Sequence, residues 1–285
     1  PADQLLERIL EERRKQWEEQ YRWKRYDSKG KEPPSGWKKR YKEPDSLNSS
    51  DLPEIPPTWK WVRFEQISLL DSGKAFKSKH FTDQGMPLLR GANVAPGHLK
   101  WDDTEYWPKN DVEEYKHLII KEGDVILAMD RPLISDGLKI ARAKEGETPC
   151  LLVQRVARFR PMLDALVPYL YLACSSQRFI EHLREGQTGT QIPHVSKKSI
   201  RAFQFPLPPL QEITQIINEV ERLLSVAEDA ATTTQDEQTR AERLRQSILK
   251  QAFSGTLVPH EAEHSTIAPS TDNATPQGAQ IELGL

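Results

Sequence analysis

The sequence predicts an α+β protein, a compact mixed α/β domain flanked by long α-helices. Three observations carry that expectation. Residues 205–259 hold an apolar seam with the 3.5-residue repeat of a coiled coil. Residues 58–205 string together short strand-like runs bounded by turn signals. Residues 5–26 place apolar side chains at helical spacing. With 285 residues, 37% hydrophobic and 29% charged, the chain can bury one substantial core and keep a large solvated surface.

The first element is an amphipathic helix over residues 1–26. Leu5, Leu6, Ile9 and Leu10 mark its apolar face, which Trp17 and Tyr21 extend. Residues 27–57 are rich in Pro, Ser and Lys and read as an extended, poorly ordered basic linker. Between Arg13 and Lys42, twelve Lys or Arg stand against four Asp or Glu, although the whole chain carries a net charge of −2. Overall charge therefore argues against attraction of the whole molecule to nucleic acid, while a locally basic surface stays open.

Residues 58–205 read as a single domain. TWKWVRF, MPLLRGANV, DVILAM, LKIARA and CLLVQRVARF are its strand candidates. A helix is expected from Pro168 to Arg184, with Leu170, Ala173, Ile180 and Leu183 on one face and Gly186 past its end. A Gly/Thr/Gln loop and a last strand, SIRAFQF, complete the domain. Pro206, Pro208 and Pro209 stop that strand, because proline offers no ladder donor.

The long helix follows. Its seam runs through Ile213, Ile217, Val220, Leu224 and Ala227, weakens at Thr234 and Gln238, and returns at Ala241 and Ile248. Gly255 and Pro259 end it. Some forty residues of helix span roughly 65 Å and need a partner for their seam. Residues 260–285 are polar and aperiodic, so a disordered tail is expected. No apolar run is long enough for a membrane span. Cys150 and Cys174 sit in apolar contexts, as expected of reduced thiols in a cytoplasmic protein. A start at Pro1 without an initiator methionine reads as a fragment of a longer chain.

Catalytic patterns are weak. HEAEH at His260–His264 matches the zinc pattern H-E-x-x-H by letter, but it follows Pro259 and lacks the apolar helix face that would bury a metal. LPPL at Leu207 has neither the amide nor the aromatic of a methyltransferase tetrapeptide, and Asp124 and Asp130 have no Glu-x-Lys companion of a nuclease. No catalytic centre, metal site or cofactor site is read in the chain.

Binding patterns are stronger. SGKAFKSKHF presents Lys74, Lys77, Ser78 and Lys79 on a glycine-opened loop, which suits phosphate contact or simple solvation. In LLRGANV, Arg90 and Asn93 have the geometry for guanine and adenine edges, and Arg90 equally suits an internal salt bridge. MDRPLIS presents Arg131 beside a rigid proline. GQTGTQIPHVSKKS concentrates Gln187, Thr190, Gln191, His194 and Lys197, as a DNA contact or as a turn that satisfies its own backbone. The aromatics of residues 17–41 suit a grip on DNA, a subunit contact, or packing against the long helix.

FPLPPLQE at residues 205–212, followed by LRQSILKQAFSGTLVP at 244–259, resembles the conserved region of the specificity subunit of type I restriction-modification enzymes. The helix LLERILEERR, and PLLRGANV, KEGDVILAM and VQRVARFRP within the domain, are similar to segments of the same family. The resemblance implies one half of such a subunit. Residues 58–205 would be a target recognition domain reading one arm of a split double-stranded DNA target. Residues 206–259 would be a coiled-coil spacer, with Ile213, Ile217, Val220, Leu224, Ala227 and Ile248 as its coiled-coil interface, that docks the modification (methyltransferase) subunits. Those subunits would bring adenosylmethionine, a translocating restriction subunit would join them, and either two half-subunits would pair as a homodimer or a covalent second half would complete the subunit. The alternative from another class is a homodimeric coiled-coil module that binds protein without DNA specificity.

Overall fold

The computed structural model describes residues 1–185 and 192–258. The chain divides into two compact units, Pro1–Val220 and Glu221–Leu285. The first takes in helix α1 (Ala2–Arg25), the segment after it, the strand-rich region and the start of the long helix.

The organising layer is a four-stranded antiparallel sheet of β2 (Ser68–Ser72), β11 (Val156–Pro161), β6 (Val125–Ala128) and β9 (Ile140–Arg142), in that order. Alternation along these strands sends side chains to two different cores. Val125, Leu127, Ala157 and Phe159 face the first core, and Ile126, Ala128, Ala141 and Val156 face the second. A sheet buried on both faces is why DVILAM reads as a continuous apolar run.

The first core is closed by helices. Leu5, Leu6 and Ile9 of α1 reach it, with α2 (Phe64–Ile67), α3 (Val167–Ser175), α4 (Gln177–Arg184), α5 (Lys197–Ala202) and the hairpin-like pair β1 (Lys60–Arg63) and β12 (Gln204–Leu207). Phe64 meets Phe159 edge to face at 4.8 Å between centroids. The second core lies under a smaller sheet of β4 (Tyr106–Trp107), β3 (Met86–Leu89), β10 (Cys150–Leu152) and β5 (Ile119–Ile120). A short hairpin, β7 (Leu133–Ile134) with β8 (Gly137–Leu138), projects from β6.

Several expectations change here. The helix expected over 168–184 is two helices, because Ser176 adopts extended dihedrals and caps α4 by accepting from Phe179 N. SIRAFQF is helix α5 and then β12, since Ser196 caps α5 by accepting from Ser199 N. CLLVQRVARF is two strands in two sheets, separated at Arg155. The stretch expected to be an extended linker folds against α1. Trp17, Tyr21 and Trp37 stack with one another, Tyr41 lies tilted against Trp17, Arg14 pairs with Glu43 at 2.7 Å, and Lys38 pairs with Glu18. Aromatic area offsets the ordering entropy that composition alone implied would win.

Helix α6 (Leu210–Phe253) starts on the first core, where Ile213 is fully buried and Leu210 and Ile217 pack beside it. It closes with a paired C-terminal turn: Gly255, at φ +72°, donates to Ala252 O, and Thr256 N donates to Gln251 O. Within the second unit, Leu223, Leu224, Val226, Leu244, Ile248 and Phe253 are exposed. Among the described residues no helix is long and apolar enough to cross a membrane.

Candidate nucleic-acid interface

The loops that join the strands leave both sheets at one end, and hydrogen bonds between them fix their order. Past Ser72, Gly73 runs so close to β10 that a Cβ there would lie 2.2 Å from Leu152 O, so the position requires glycine. Lys74 then bridges to Val153, and Gln154 N donates to Lys74 O at 2.9 Å. Met129 N donates to Arg155 O at 2.8 Å. On its other side, Asp130 bridges to His194, while Arg131 N donates to Pro193 O at 3.0 Å and Val195 N to Met129 O at 2.8 Å. Residues 73–74, 153–155, 129–131 and 193–195 therefore lie side by side. The loop after β3 joins them, with Gly97 N donating to Ile140 O at 2.9 Å.

One carboxylate sits at the centre of this rim. Asp130 Oδ1 lies 2.7 Å from His194 Nδ1 and 3.2 Å from Arg155 Nη1, and the imidazole and guanidinium are 3.3 Å apart. The short contact assigns the proton to Nδ1, which donates to the carboxylate. Arg155 (φ +66°) and Arg131 (φ +41°) both hold left-handed backbone. For a non-glycine residue that conformation costs about 1–2 kcal/mol and persists only where the surroundings enforce it. Here the ladder bonds at Met129, Arg131 and Val195 enforce it. Nearby, burial holds the Lys139 ammonium below its usual range, and repulsion from Arg131 and Lys100 adds to the effect. Positive charge is thus gathered on a chain whose net charge is −2.

The structure treats the sequence candidates unequally. His194 contacts Asp130 at the centre of the rim, and Arg131, the next residue, is exposed and bonds through its backbone N–H to Pro193 O. Lys197 opens α5 and is exposed. Lys77, Ser78 and Lys79 are exposed on a short 3-10 turn whose flanking Phe76 and Phe81 pack into the second core. Lys74 is engaged inside the chain. Its ammonium donates to Tyr115 Oη at 3.0 Å, lies over that ring at 4.3 Å and pairs with Glu114, and the Tyr115 contact holds its pKa above the usual lysine value.

Arg90 and Asn93 are corrections. Arg90 pairs with Asp103 at 2.9 Å and with Glu105 at 3.7 Å, the internal salt bridge that its sequence left open. Asn93 is 2% exposed, accepts from Arg90 N and donates to Lys100 O at 2.9 Å, so its amide holds the loop and is closed to an adenine edge. The seam needs a similar correction at Ile213 and Ile217, which fill the chain's own core. Val220 is half-buried, and Leu224, Ala227 and Ile248 are exposed. Gln187, Thr190, Gln191 and the HEAEH segment lie outside the described residues. Among the described residues no three His, Cys, Asp or Glu side chains are grouped to hold a metal ion.

Asp130, Arg155 and Lys139 were not legible as site residues. Arg155 sits inside an apolar strand pattern, and only its left-handed backbone, set by pairing in two sheets, turns it out to the rim.

The chain is similar to known proteins over most of its length. Residues 56–236 match the family described as the type I restriction modification DNA specificity domain. The chain is 32% identical over 226 residues to the specificity subunit of the type I restriction enzyme EcoAI from Escherichia coli, covering 79% of this chain and 36% of that one. It is 28% identical over 216 residues to the MjaVIII specificity subunit of Methanocaldococcus jannaschii, covering 75% and 50%. The chain thus spans half or less of the length of these two relatives. A solved structure from work on complex assembly and conformational transition of the type I restriction-modification system shares the fold. Its TM-score is 0.56 at 20% identity, over 73% of this chain and 49% of that one.

Proposed function

The chain belongs to the type I restriction-modification DNA specificity domain family, and from that premise we propose that it reads one half of a split DNA target as a specificity subunit. The observation that carries the proposal is positional. The family match spans residues 56–236, and every segment of the basic rim falls inside it. Rim and match together support residues 58–205 as the target recognition domain.

On this reading the rim contacts double-stranded DNA. Lys77, Lys79 and Lys197 would meet phosphates and make the affinity salt-dependent. Residues fixed by the ladder bonds would meet base edges. The exposed apolar side chains of the second unit, Leu224 and Ile248 among them, would dock modification subunits or a second helix, and the restriction subunit would join that assembly. Adenosylmethionine and the methyl transfer belong to the modification subunits, so this chain supplies sequence choice and no chemistry of its own. It would work where the DNA is, in the cytoplasm.

The test is to co-express the chain with its modification subunits and map every methylated adenine in the cell's DNA. A split motif absent from control cells is the expected result. An assembled complex that leaves no new motif overturns the proposal.

A further inference from the structure

The Asp130 cluster has a geometry that phosphate contact does not require. Exposed lysines, such as Lys77 and Lys79, suffice for phosphates, which carry no sequence information. Arg155 is held differently. Its backbone is locked at φ +66° between β10 and β11, and its guanidinium is anchored by Asp130, which also anchors His194. Arg155 and Asp130 are 56% and 49% exposed, so their ion pair contributes little to stability. A half-exposed pair on strained backbone orients a side chain more than it holds the fold. Arg131, the second left-handed arginine, leaves the adjoining strand end one residue after the anchoring acid.

We propose that Arg155 and Arg131 are the base-reading residues of this chain, selecting a guanine edge in the major groove, and that Asp130 is the positioning residue that aims Arg155. This deepens the DNA reading above and rests on it. Arginine is the chemical match because its planar fork donates two parallel hydrogen bonds to guanine O6 and N7. Such a bond pair discriminates only when the fork arrives in a fixed orientation, which a shared carboxylate and an enforced backbone provide. His194 completes the clamp by tying residues 192–195 to the same acid.

The test selects a randomised duplex library on the full chain assembled with its modification subunits, to obtain the preferred word. Arg155→Lys, Arg131→Lys and Asp130→Asn are then titrated against that word and a scrambled duplex. Each arginine variant keeps its charge and loses the fork. The expected result is a fall of about tenfold or more in preference for the word, with scrambled-duplex affinity changed by less than about threefold. Asp130→Asn is expected to lower the preference while leaving scrambled-duplex affinity unchanged or higher, which a merely structural role would not do. Should Asp130→Asn unfold the rim, as a lowered melting temperature would reveal, the two exposed arginines decide. Arginine variants that retain the wild-type preference overturn the proposal and leave the DNA reading intact. If wild type selects no word, the DNA reading falls and the proposal with it.

Discussion

Trp59 donates its indole N–H to the Glu212 carboxylate at 2.7 Å, tying the residue before β1 to the first turn of α6. The glutamate belongs to the FPLPPLQE motif, and Thr58 Oγ1 lies 3.4 Å from its other oxygen. Together with the β1–β12 pairing, this contact fixes where the long helix starts on the first unit. A hydrogen bond to a charged acceptor contributes about 1.5–3 kcal/mol when partly shielded. Trp59→Phe is therefore expected to lower the stability of the first unit by about 1.5 kcal/mol, the low end of that range for a half-buried pair. Urea unfolding with an unchanged m-value would show it.

Arg158 is the largest test of the central sheet. It points from β11 toward the second core at 1% exposure, donating to Asp71 Oδ2 (2.7 Å), Ile119 O (2.7 Å) and His117 O (2.9 Å). Removing it leaves the Asp71 carboxylate and the His117 carbonyl without their cation, while Arg160 still reaches Asp124 at 3.5 Å and Ile119 O at 3.4 Å. Arg158→Ala is expected to cost about 3–5 kcal/mol, the usual penalty for breaking a buried pair from one side. A comparable loss from Lys121→Ala, an exposed change, would contradict that account.

Local chemistry made the elements legible, and topology set the site. DVILAM, MPLLRGANV and the long helix α6 are readable because period and composition act within a few residues. Arg155 was hidden, because its exposure follows from β10 and β11 joining different sheets, which no window of sequence encodes. The same limit misplaced Ile213: a heptad position and a core position look alike until it is known what the helix meets. His194 and Arg131 were legible as loop residues, but their meeting through Asp130 needed a bridge across 64 residues.

The buried thiols predict a pH dependence. Burial pushes Cys150 from its ordinary value near 9.0 up to about 12, and pushes Cys174 up as well. The unfolded chain then loses these protons first as pH rises, so folded-state stability is intact below about pH 9 and falls between about 9 and 12. Cys150→Ala is expected to flatten part of that fall, whatever its cavity cost at neutral pH. In the native protein both thiols should resist alkylation at pH 8 and react on unfolding.

Asn93 separates fold from recognition. Its amide satisfies Arg90 N and Lys100 O inside the loop, so Asn93→Ala is expected to destabilise by about 1–3 kcal/mol for the groups left unpaired. Sequence preference, measured where the variant is still folded, should stay that of wild type. A changed preference without a change in stability would return Asn93 to the DNA face.

Lys77 and Lys74 give the complementary contrast, because they share a loop and differ in what holds them. Lys77 is exposed beside a turn anchored by Phe76 and Phe81, whereas Lys74 is engaged by Tyr115 and Glu114. A lysine that neutralises one phosphate releases its share of condensed counterion and contributes about 0.9 to the slope of log K against log salt. Lys77→Ala is expected to lower affinity for preferred and scrambled duplexes alike and to reduce that slope by about 0.9. Lys74→Ala should leave the slope nearly unchanged, since its ammonium is already committed to a carboxylate and a ring. Equal slope losses for the two variants would mean that DNA draws Lys74 away from Tyr115, and an unchanged slope for Lys77→Ala would move the phosphate contacts off this loop.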